Sequence, residues 1–344
     1  MRTTSDLHRY AGAHARTRAV LATLLGHPGL EALVSYPSAA AVYEALLRTP
    51  YGVGLTGTNP DTPRLERRLV AVGNTLLGLL ADPERAFVRL YLLHHEVDNL
   101  KLVIRAIHNR RGFDGIAPLL CELGAIATID PRALAEAHDL RELAQRLTNT
   151  PYGEALRAAL HRLDEAGPFA LEVAVELDYY DRLWSAIDTL ATSDAAPARR
   201  LLGTLFDILN LNWIAGYRDV LGLSPEEILN YTLRHGRWIT APLRRGLAED
   251  GSRSWEGPLA RTPYASLLAA AAADGFDAVA AGLWRLLAHE VQRTLSGYPF
   301  HIGVLLGCLL AQEIEIRDLQ VLLAAKRLGL PNTEVLDHVA SVRH

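Results

Sequence analysis

The sequence predicts an all-α protein. Along the 344-residue chain, apolar residues recur at three- and four-residue spacing, and no run alternates strictly between apolar and polar residues. Helix start signals are frequent: residues 224–227 (Ser-Pro-Glu-Glu) combine a serine cap, a proline at the first helical position and a glutamate at the third. Asp82-Pro83 and Asp130-Pro131 also place a capping aspartate before a proline. We therefore expect helices joined by turns that contain Gly and Pro.

Composition and charge exclude several classes of protein. Hydrophobic residues make up 49% of the chain and charged residues 22%, as is ordinary for a soluble globular protein. The formal net charge of −4 offers no general basic surface, so we expect no nucleic-acid partner. The two cysteines, Cys121 and Cys308, are too few for a disulfide scaffold or a four-cysteine zinc site. The length is sufficient for two or three domains of about 150 residues or fewer.

Two apolar segments are candidates for membrane spans, and neither fits one. Residues 302–311 are apolar throughout, but they are too few to cross a hydrocarbon core of about 30 Å. Residues 265–283 are long enough, yet they are mostly alanine and carry Asp274 and Asp277. The first residues lack the apolar stretch of a signal peptide. We expect buried helices in both segments, no targeting segment and no direct insertion into a membrane.

Two short patterns repeat three times in the same order. The triplet Thr-Pro-Tyr occurs at residues 49–51, 150–152 and 262–264, each time about 50 residues before a second pattern. The second pattern consists of an acid, an apolar residue, any residue, Asn or Asp, and Leu, and its copies lie about 110 residues apart. Its defining residues are Glu96, Asn99, Leu100, Asp207, Asn210, Leu211, Glu315, Asp318 and Leu319. We predict three related helical domains at residues 1–115, 116–222 and 223–344.

The second pattern has a defined geometry on a helix. In the first copy one apolar stripe is formed by Leu93, Val97, Leu100, Ile104 and Ile107. The acid and the Asn or Asp are three residues apart and lie on a neighbouring face. A carboxylate or amide buried there needs hydrogen bonds, most simply to the end of a neighbouring helix. We expect a structural polar contact in each domain, and contact with a partner protein is the alternative.

No motif for a catalytic, cofactor or metal site is complete. Residues 52–57 match the Gly-x-Gly-x-x-Gly pattern of dinucleotide-binding proteins, but the required strand before it and helix after it are missing, so we predict an interhelical loop. His95-Glu96 and His289-Glu290 begin like a zinc-protease site, but Asn99 and Arg293 stand where the second histidine belongs. No phosphate-binding loop and no Gly-x-Ser-x-Gly turn occurs. We expect no cofactor and no catalytic site.

Three histidines near the first copy of the pattern are also candidate ligands. His94, His95 and His108 are close in sequence, and we interpret them as surface or helix-capping residues because no acidic cluster surrounds them.

The ordered repeats resemble the C subunit of the A/V-type ATPases, whose eukaryotic counterpart carries the letter d. Residues 92–106 are similar to the first repeat of that family, and residues 221–228 to the segment after its second repeat. Residues 262–267 and 313–319 are similar to its third repeat. The resemblance covers nearly the whole chain through short motifs. It departs from the family after the first Asn-Leu, where Ile107 occupies the position of a frequent lysine.

The resemblance implies a funnel of three similar helical domains with approximate threefold symmetry. Such a subunit is non-catalytic, lies on the cytoplasmic side as a peripheral part of a membrane complex, and binds no cofactor. Its implied partners are the rotor axle subunits of the D and F type and the membrane proteolipid ring. It would transmit torque between ATP hydrolysis or synthesis and the transport of protons or sodium ions.

Basic residues after each repeat are candidates for pairing with acids on these partners, namely Arg105, Arg218 and Lys326. A contact within the domain, such as binding the last carbonyls of a helix, is the alternative for each of them.

Two other functions are compatible with the same sequence. One is a helical enzyme whose site is assembled from distant histidines and acids. The other is a helical scaffold that belongs to the family but is detached from the rotor. Genes for other ATPase subunits next to this one would favour the rotor function.

Overall fold

Helices and turns make up the computed structural model, which describes residues 4–55, 63–250, 255–267 and 276–341. Within these ranges there is no strand, so the prediction of an all-α protein is confirmed. The chain divides into two compact units, one formed by Tyr51–Ala186 and the other by Met1–Pro50 together with Ile187–His344. The division into three repeated domains stays a prediction.

Helices of the first half of the chain are α1 (Thr4–Leu21), α2 (Gly26–Val34), α3 (Ala39–Leu46), α4 (Gly52–Leu55), α5 (Glu66–Leu77), α6 (Glu84–Leu92), α7 (His94–His108), α8 (Pro131–Leu134), α9 (Leu140–Arg146), α10 (Gly153–Ala159), α11 (Leu163–Ala166) and α12 (Pro168–Ala186). Those that follow are α13 (Thr192–Ala215), α14 (Pro225–Asn230), α15 (Ala241–Asp250), α16 (Glu256–Leu259), α17 (Phe276–Leu295), α18 (Ile302–Leu328) and α19 (Asn332–His338). Short 3-10 turns lie at Phe113–Gly115, Ala117–Leu119, Gly124–Ile126, Leu160–Arg162 and Ile187–Thr189, and a π-helical turn, Gly216–Val220, continues α13.

The contiguous unit, residues 51–186, is built around α7 and α12, which pack against each other. The apolar stripe predicted on α7 faces this core: Val97, Leu100 and Ile104 are each at most 2% exposed. Burying such side chains contributes about 1.5–3 kcal/mol each. The core therefore fixes α7, and with it the polar residues on the neighbouring face of this helix.

The other unit is built around the long helices α13, α17 and α18, with α1 packed against α18. Apolar residues of the second and third copies of the pattern are buried here: Ile208, Leu211 and Leu319 have no exposed surface. Residues 302–311 form the start of α18, and all of them but Ala311, which is half-buried, are buried within this unit. Among the helices that the structure describes, none is long and apolar enough to span a bilayer. Of the second candidate span, residues 268–275 lie outside the described residues.

Local signals set several helix ends. Ser224 and Glu227 form the predicted capping box of α14, and Asp130 accepts a hydrogen bond from the backbone N–H of Arg132 (2.9 Å) at the start of α8. The prediction for Asp82 is wrong, because α6 begins at Glu84 with Pro83 in the cap position and no side-chain cap. A cap residue must directly precede the first helical residue to reach its free N–H groups.

The glycine-rich segment after the first triplet is partly helical. Gly52–Leu55 form α4, which packs against α5, so the prediction of a loop is wrong for these residues. A side chain at Gly54 would lie 3.1 Å from the carbonyl oxygen of Arg64, which is why glycine fits this close contact. Thr56 and Gly57, the rest of the Gly-x-Gly-x-x-Gly match, lie outside the described residues.

Candidate functional site

Glu96, on α7, gathers hydrogen-bond donors from a distant loop. Its carboxylate accepts the backbone N–H groups of Thr128 (2.5 Å) and Ile129 (3.2 Å). The hydroxyl of Tyr152, from the second Thr-Pro-Tyr triplet, donates to the same carboxylate at 2.8 Å. Because Glu96 is only 1% exposed, these protein donors replace the water that a carboxylate needs.

Asn99, nearly one turn further along α7, binds a second point of the same connection. Its Oδ1 accepts the N–H of Cys121 (2.8 Å), and its Nδ2 donates to the carbonyl of Cys121 (2.7 Å). The amide thus pairs with both backbone groups of one residue. Burial is the main cause that raises the pKa of the Cys121 thiol to about 12, so this thiol stays protonated and unreactive.

Asp207, on α13, repeats the arrangement in the other unit. The N–H groups of Arg237, Trp238 and Ile239 donate to its carboxylate at 2.7–3.0 Å. The hydroxyl of Tyr264, from the third triplet, donates to it at 2.8 Å. Asp207 has no exposed surface, so its whole carboxylate is enclosed by the loop and the tyrosine.

Asn210 binds Leu233 as Asn99 binds Cys121. Its Oδ1 accepts the N–H of Leu233 (2.7 Å), and its Nδ2 donates to the carbonyl of Leu233 (3.1 Å). The asparagines of the first and second copies therefore hold their loops through the same pair of amide–backbone hydrogen bonds.

The third copy, on α18, holds two segments with two carboxylates. Glu315 accepts the N–H groups of Leu25 (3.1 Å) and Gly26 (2.8 Å) at the start of α2. Asp318 accepts the N–H groups of Ala340 and Ser341 at 2.6–3.0 Å. An aspartate can only accept hydrogen bonds, so here the two-way pairing made by asparagine in the other copies is replaced by two N–H donors.

The sequence distances within these clusters are nearly constant. The Asn or Asp binds a residue 22, 23 or 22 positions further on. The acid binds backbone donors 32 positions further on in the first two copies, and the triplet tyrosine at 56 and 57 positions. In the third copy the donors to Glu315 lie 290 and 289 residues away, near the start of the chain. Repeated geometry at repeated spacing points to repeated structural elements.

Burial raises the pKa of several acidic groups in these clusters, which favours their protonated forms. Burial raises the pKa of the carboxyl groups of Asp207 and Asp318 above their usual values. Burial, followed by the nearby Glu96 and Asp207, raises the pKa of the hydroxyls of Tyr152 and Tyr264 far above the usual range. Both tyrosines therefore remain protonated hydrogen-bond donors. Each cluster attaches a loop to a helix through hydrogen bonds to the motif acid, and we call it a fastening cluster.

The sequence that carries these repeats can be compared with known families. Residues 13–338 match the sequence profile of the family described as ATP synthase (C/AC39) subunit. The chain belongs to this family. The resemblance inferred from the ordered motifs is thereby confirmed.

Relatives of this C/AC39 subunit include proteins of A-type and V-type ATP synthases. It is 25% identical over 345 residues to the C subunit of the A-type ATP synthase of Methanocaldococcus jannaschii, covering 96% of this chain and 86% of the relative. It is 26% identical over 348 residues to the protein of the same name from Methanothermobacter thermautotrophicus, covering 97% and 89%. It is 27% identical over 335 residues to the C subunit of the V-type ATP synthase of Thermus thermophilus, covering 96% and 98%.

Sequence reasoning missed the partners of each motif acid in the C/AC39 subunit. Each triplet was paired with the acid that follows it, whereas the structure joins Tyr152 and Tyr264 to the acid before them. The nearly equal offsets of 56 and 57 residues were the signal that was available. Gly236 was also missed: a Cβ atom there would lie 2.3 Å from Oδ1 of Asp207, so only glycine fits beside the carboxylate.

The three basic residues singled out after the repeats make contacts inside their own units. Arg105 donates two hydrogen bonds to Glu172, at 2.8 and 2.6 Å. Arg218 donates to the carbonyl of Ala248, near the end of α15. Lys326 donates to the carbonyl of Val34, the last residue of α2, at 2.7 Å. Pairing of these residues with a partner protein stays a prediction.

The interpretation of the histidines near the first repeat is wrong for one of them. His95 is only 7% exposed, and burial, with His94 as a second cause, lowers its pKa well below the usual value. The face of α7 that carries His95 also carries Asn99, four residues on, and both are buried. His94 lies 2.8 Å from the carbonyl oxygen of Tyr91 near the end of α6, and His108 is exposed.

Replacing the buried triplet tyrosines by phenylalanine is expected to destabilise the protein measurably. In Tyr264→Phe, Asp207 loses one of its donors, and we expect the free energy of unfolding to fall by about 1–2 kcal/mol. Tyr152→Phe should give a similar loss through Glu96. Urea denaturation followed by circular dichroism measures both, with exposed Tyr36→Phe as the control. Losses indistinguishable from that control would contradict the role assigned to these hydroxyls.

Proposed function

We propose that this C/AC39 subunit is a non-catalytic socket in the central stalk of a rotary A/V-type ATPase. It couples the rotor axle to the membrane proteolipid ring, in ATP-driven or ATP-producing transport of protons or sodium ions. The observation that carries the proposal is the recurrence of one fastening cluster, at one spacing, in a member of a family of ATP synthase subunits. The role of this cluster is structural, since its acids accept hydrogen bonds from backbone N–H groups.

The proposed architecture is a funnel of three domains, residues 1–115, 116–222 and 223–344, with approximate threefold symmetry. The clusters of Glu96 and Asp207 support the repeat itself, because both combine backbone donors from a loop with a triplet tyrosine, and each joins the helix of one proposed domain to a segment of the next. Asp318 supports it for the third domain, because it holds a segment at the same spacing as Asn99 and Asn210.

A protein that transmits torque has to resist local deformation. Each fastening cluster attaches a long connection between helices to a buried helix by several hydrogen bonds. Each such bond contributes about 0.5–1.5 kcal/mol to the free energy of unfolding. The connection at residues 237–239 is held by three consecutive N–H groups on one carboxylate. Loops pinned in this way can carry load between partners without rearranging.

The proposed place of the protein is the cytoplasmic face of a membrane complex, to which it attaches through protein contacts. A permanent joint of this kind buries a large and partly apolar area. We expect the end of the rotor axle to be helical, so a groove that accepts helices is the expected shape of the receiving surface.

Co-purification tests the proposal directly. The tagged full chain is expressed with the D- and F-type axle subunits and the proteolipid ring, and complexes are isolated in mild detergent. We expect the chain to bind the axle pair and the ring, and to be needed for joining them. If the rest of the rotor assembles while the chain binds neither, the socket function is refuted.

Charge reversal at Arg105, Arg218 and Lys326 tests the predicted partner contacts. The triple variant, each residue changed to Glu, is expected to bind the axle or ring at least about tenfold more weakly while its helical content is unchanged. Circular dichroism and pull-down titrations measure the two properties. Unchanged binding would remove these residues from the interface, and loss of helical content would assign them to the internal contacts with Glu172, Ala248 and Val34.

A further inference from the structure

Three arginines converge on one glutamate in the unit that contains α13 and α17. Glu290 lies on α17, and its carboxylate is within 3.5 Å of Nε of Arg200 and within 3.2 Å of terminal nitrogens of Arg237 and Arg293. The arginines come from α13, from the loop held by Asp207, and from the next turn of α17. This grouping brings together three elements that are distant in sequence.

The charge of the cluster is unbalanced. Three guanidinium groups carry three positive charges, whereas Glu290 carries one negative charge. Their other side-chain acceptors are neutral hydroxyls, that of Thr294 for Arg200 and that of Thr204 for Arg237. Asp207, which holds the loop that carries Arg237, is fully buried, and its carboxylate accepts hydrogen bonds from four donors. The arginine side chains are 29–58% exposed, so much of this positive charge reaches solvent.

An exposed tryptophan lies beside one of these arginines, Arg237. Trp238 is 40% exposed, and the guanidinium carbon of Arg237 lies 5.6 Å from its ring centroid. The backbone on both sides is fixed, because Asp207 accepts consecutive N–H groups there. A rigidly mounted tryptophan loses little conformational entropy on binding, and Trp and Arg are the residues most enriched at energetic centres of interfaces.

We propose that Arg200, Arg237, Arg293 and Trp238, here called the arginine–tryptophan surface, bind an acidic polypeptide segment of a partner protein. Carboxylates of the segment pair with the guanidinium groups, and one apolar side chain of the segment packs on Trp238. The proposal stands independently of the rotor function, since it rests on the surface alone.

Two other anionic ligands fit this surface less well. A free phosphate binds best in a pocket of donors without a carboxylate, and here Glu290 occupies the centre of the donors and repels a dianion. Anionic membranes are typically recognised by four to eight clustered basic residues, more than this surface offers. A polypeptide instead supplies single charges at several points together with an apolar group, which matches separated guanidinium groups next to an indole ring.

Fluorescence anisotropy with a labelled poly-glutamate peptide that carries a central leucine tests the proposal on the full chain. We expect salt-sensitive binding that falls about tenfold in Arg200→Gln/Arg237→Gln/Arg293→Gln and about tenfold in Trp238→Ala. Glu290→Gln is expected to strengthen binding about threefold, because it removes the carboxylate that already pairs with these arginines. A matched control, Arg141→Gln/Arg146→Gln/Arg157→Gln, removes the same charge from the other unit and should bind like the wild type.

Several outcomes would overturn the proposal. Equal weakening by the control triple variant would show general charge attraction, and equal binding of a poly-glutamine peptide would show that carboxylates are not recognised. Displacement of the peptide by millimolar inorganic phosphate, or stronger binding to phosphatidylglycerol vesicles than to the peptide, would assign the surface to those ligands. If the triple variant fails to fold, Trp238→Ala and Glu290→Gln still decide, since unchanged binding in both refutes the proposal.

Discussion

Replacing Asp207 by alanine is expected to lower the free energy of unfolding by about 3–5 kcal/mol, because each buried donor that loses its acceptor costs about 1–3 kcal/mol where water does not replace it. The carboxylate has no exposed surface and accepts three consecutive backbone N–H groups and the hydroxyl of Tyr264. Alanine leaves these donors without their acceptor, and we expect water to replace it for some of them only. Equilibrium urea denaturation followed by circular dichroism gives the free energy directly.

Two variants separate this effect from a general loss of charge. Asp207→Asn keeps the volume and one acceptor oxygen, so we expect it to lose about half as much stability. Asp188→Ala removes an exposed carboxylate that pairs with Arg199, and it should change stability by less than about 1 kcal/mol. A loss below about 1 kcal/mol for Asp207→Ala would show that the loop is held by other contacts.

A methyl group at Gly153 is expected to cost at least about 2 kcal/mol, a typical value for forcing extra atoms into a packed site. The Cβ of Gly153→Ala would lie 2.5 Å from the carbonyl oxygen of Leu147 and 2.6 Å from that of Thr148. Both atoms belong to the backbone and cannot rotate away. Relief requires α10 to shift, and Tyr152 at its start would then move away from Glu96.

Thermal unfolding of Gly153→Ala and Gly246→Ala provides the comparison. Gly246 lies inside α15 with nothing within 4 Å of an added Cβ, so alanine there should stabilise the protein by about 0.5–1 kcal/mol. Opposite shifts of the melting temperature are therefore expected from the same chemical change. Equal shifts would contradict the steric explanation for Gly153.

The local part of this structure could be predicted from the sequence. Helix class, the buried stripe through Val97 and Leu100, and the capping box at Ser224 all depend on residues within one or two turns of each other. The positions of the motif acids were also found, because their spacing repeats. The helices, the stripe and the capping box were predictable because the interactions that decide them are close in sequence, and the motif acids because the same pattern recurs along the chain.

The other features of the structure depend on contacts that the identities of the residues along the chain do not reveal. Glu96 and Asp207 bind backbone N–H groups, which any residue except proline supplies, so the loops they hold could not be located from sequence. The burial of His95 depends on what packs over α7, and its sequence neighbours do not reveal that. The cluster around Glu290 combines residues up to 93 positions apart, such as Arg200 and Arg293, and charge patterns along the chain did not indicate it.

The bonds from Glu315 to Leu25 and Gly26 have a consequence for biosynthesis. Leu25 and Gly26 lie 290 and 289 residues before Glu315, so the segment that contains them leaves the ribosome long before α18 is synthesised. At about 5–20 residues per second, the wait is roughly 15–60 s. Residues 51–186 form a contiguous unit and can fold during this interval. We therefore expect residues 51–186 to fold first, and the start of α2 to join Glu315 only after α18 has been synthesised.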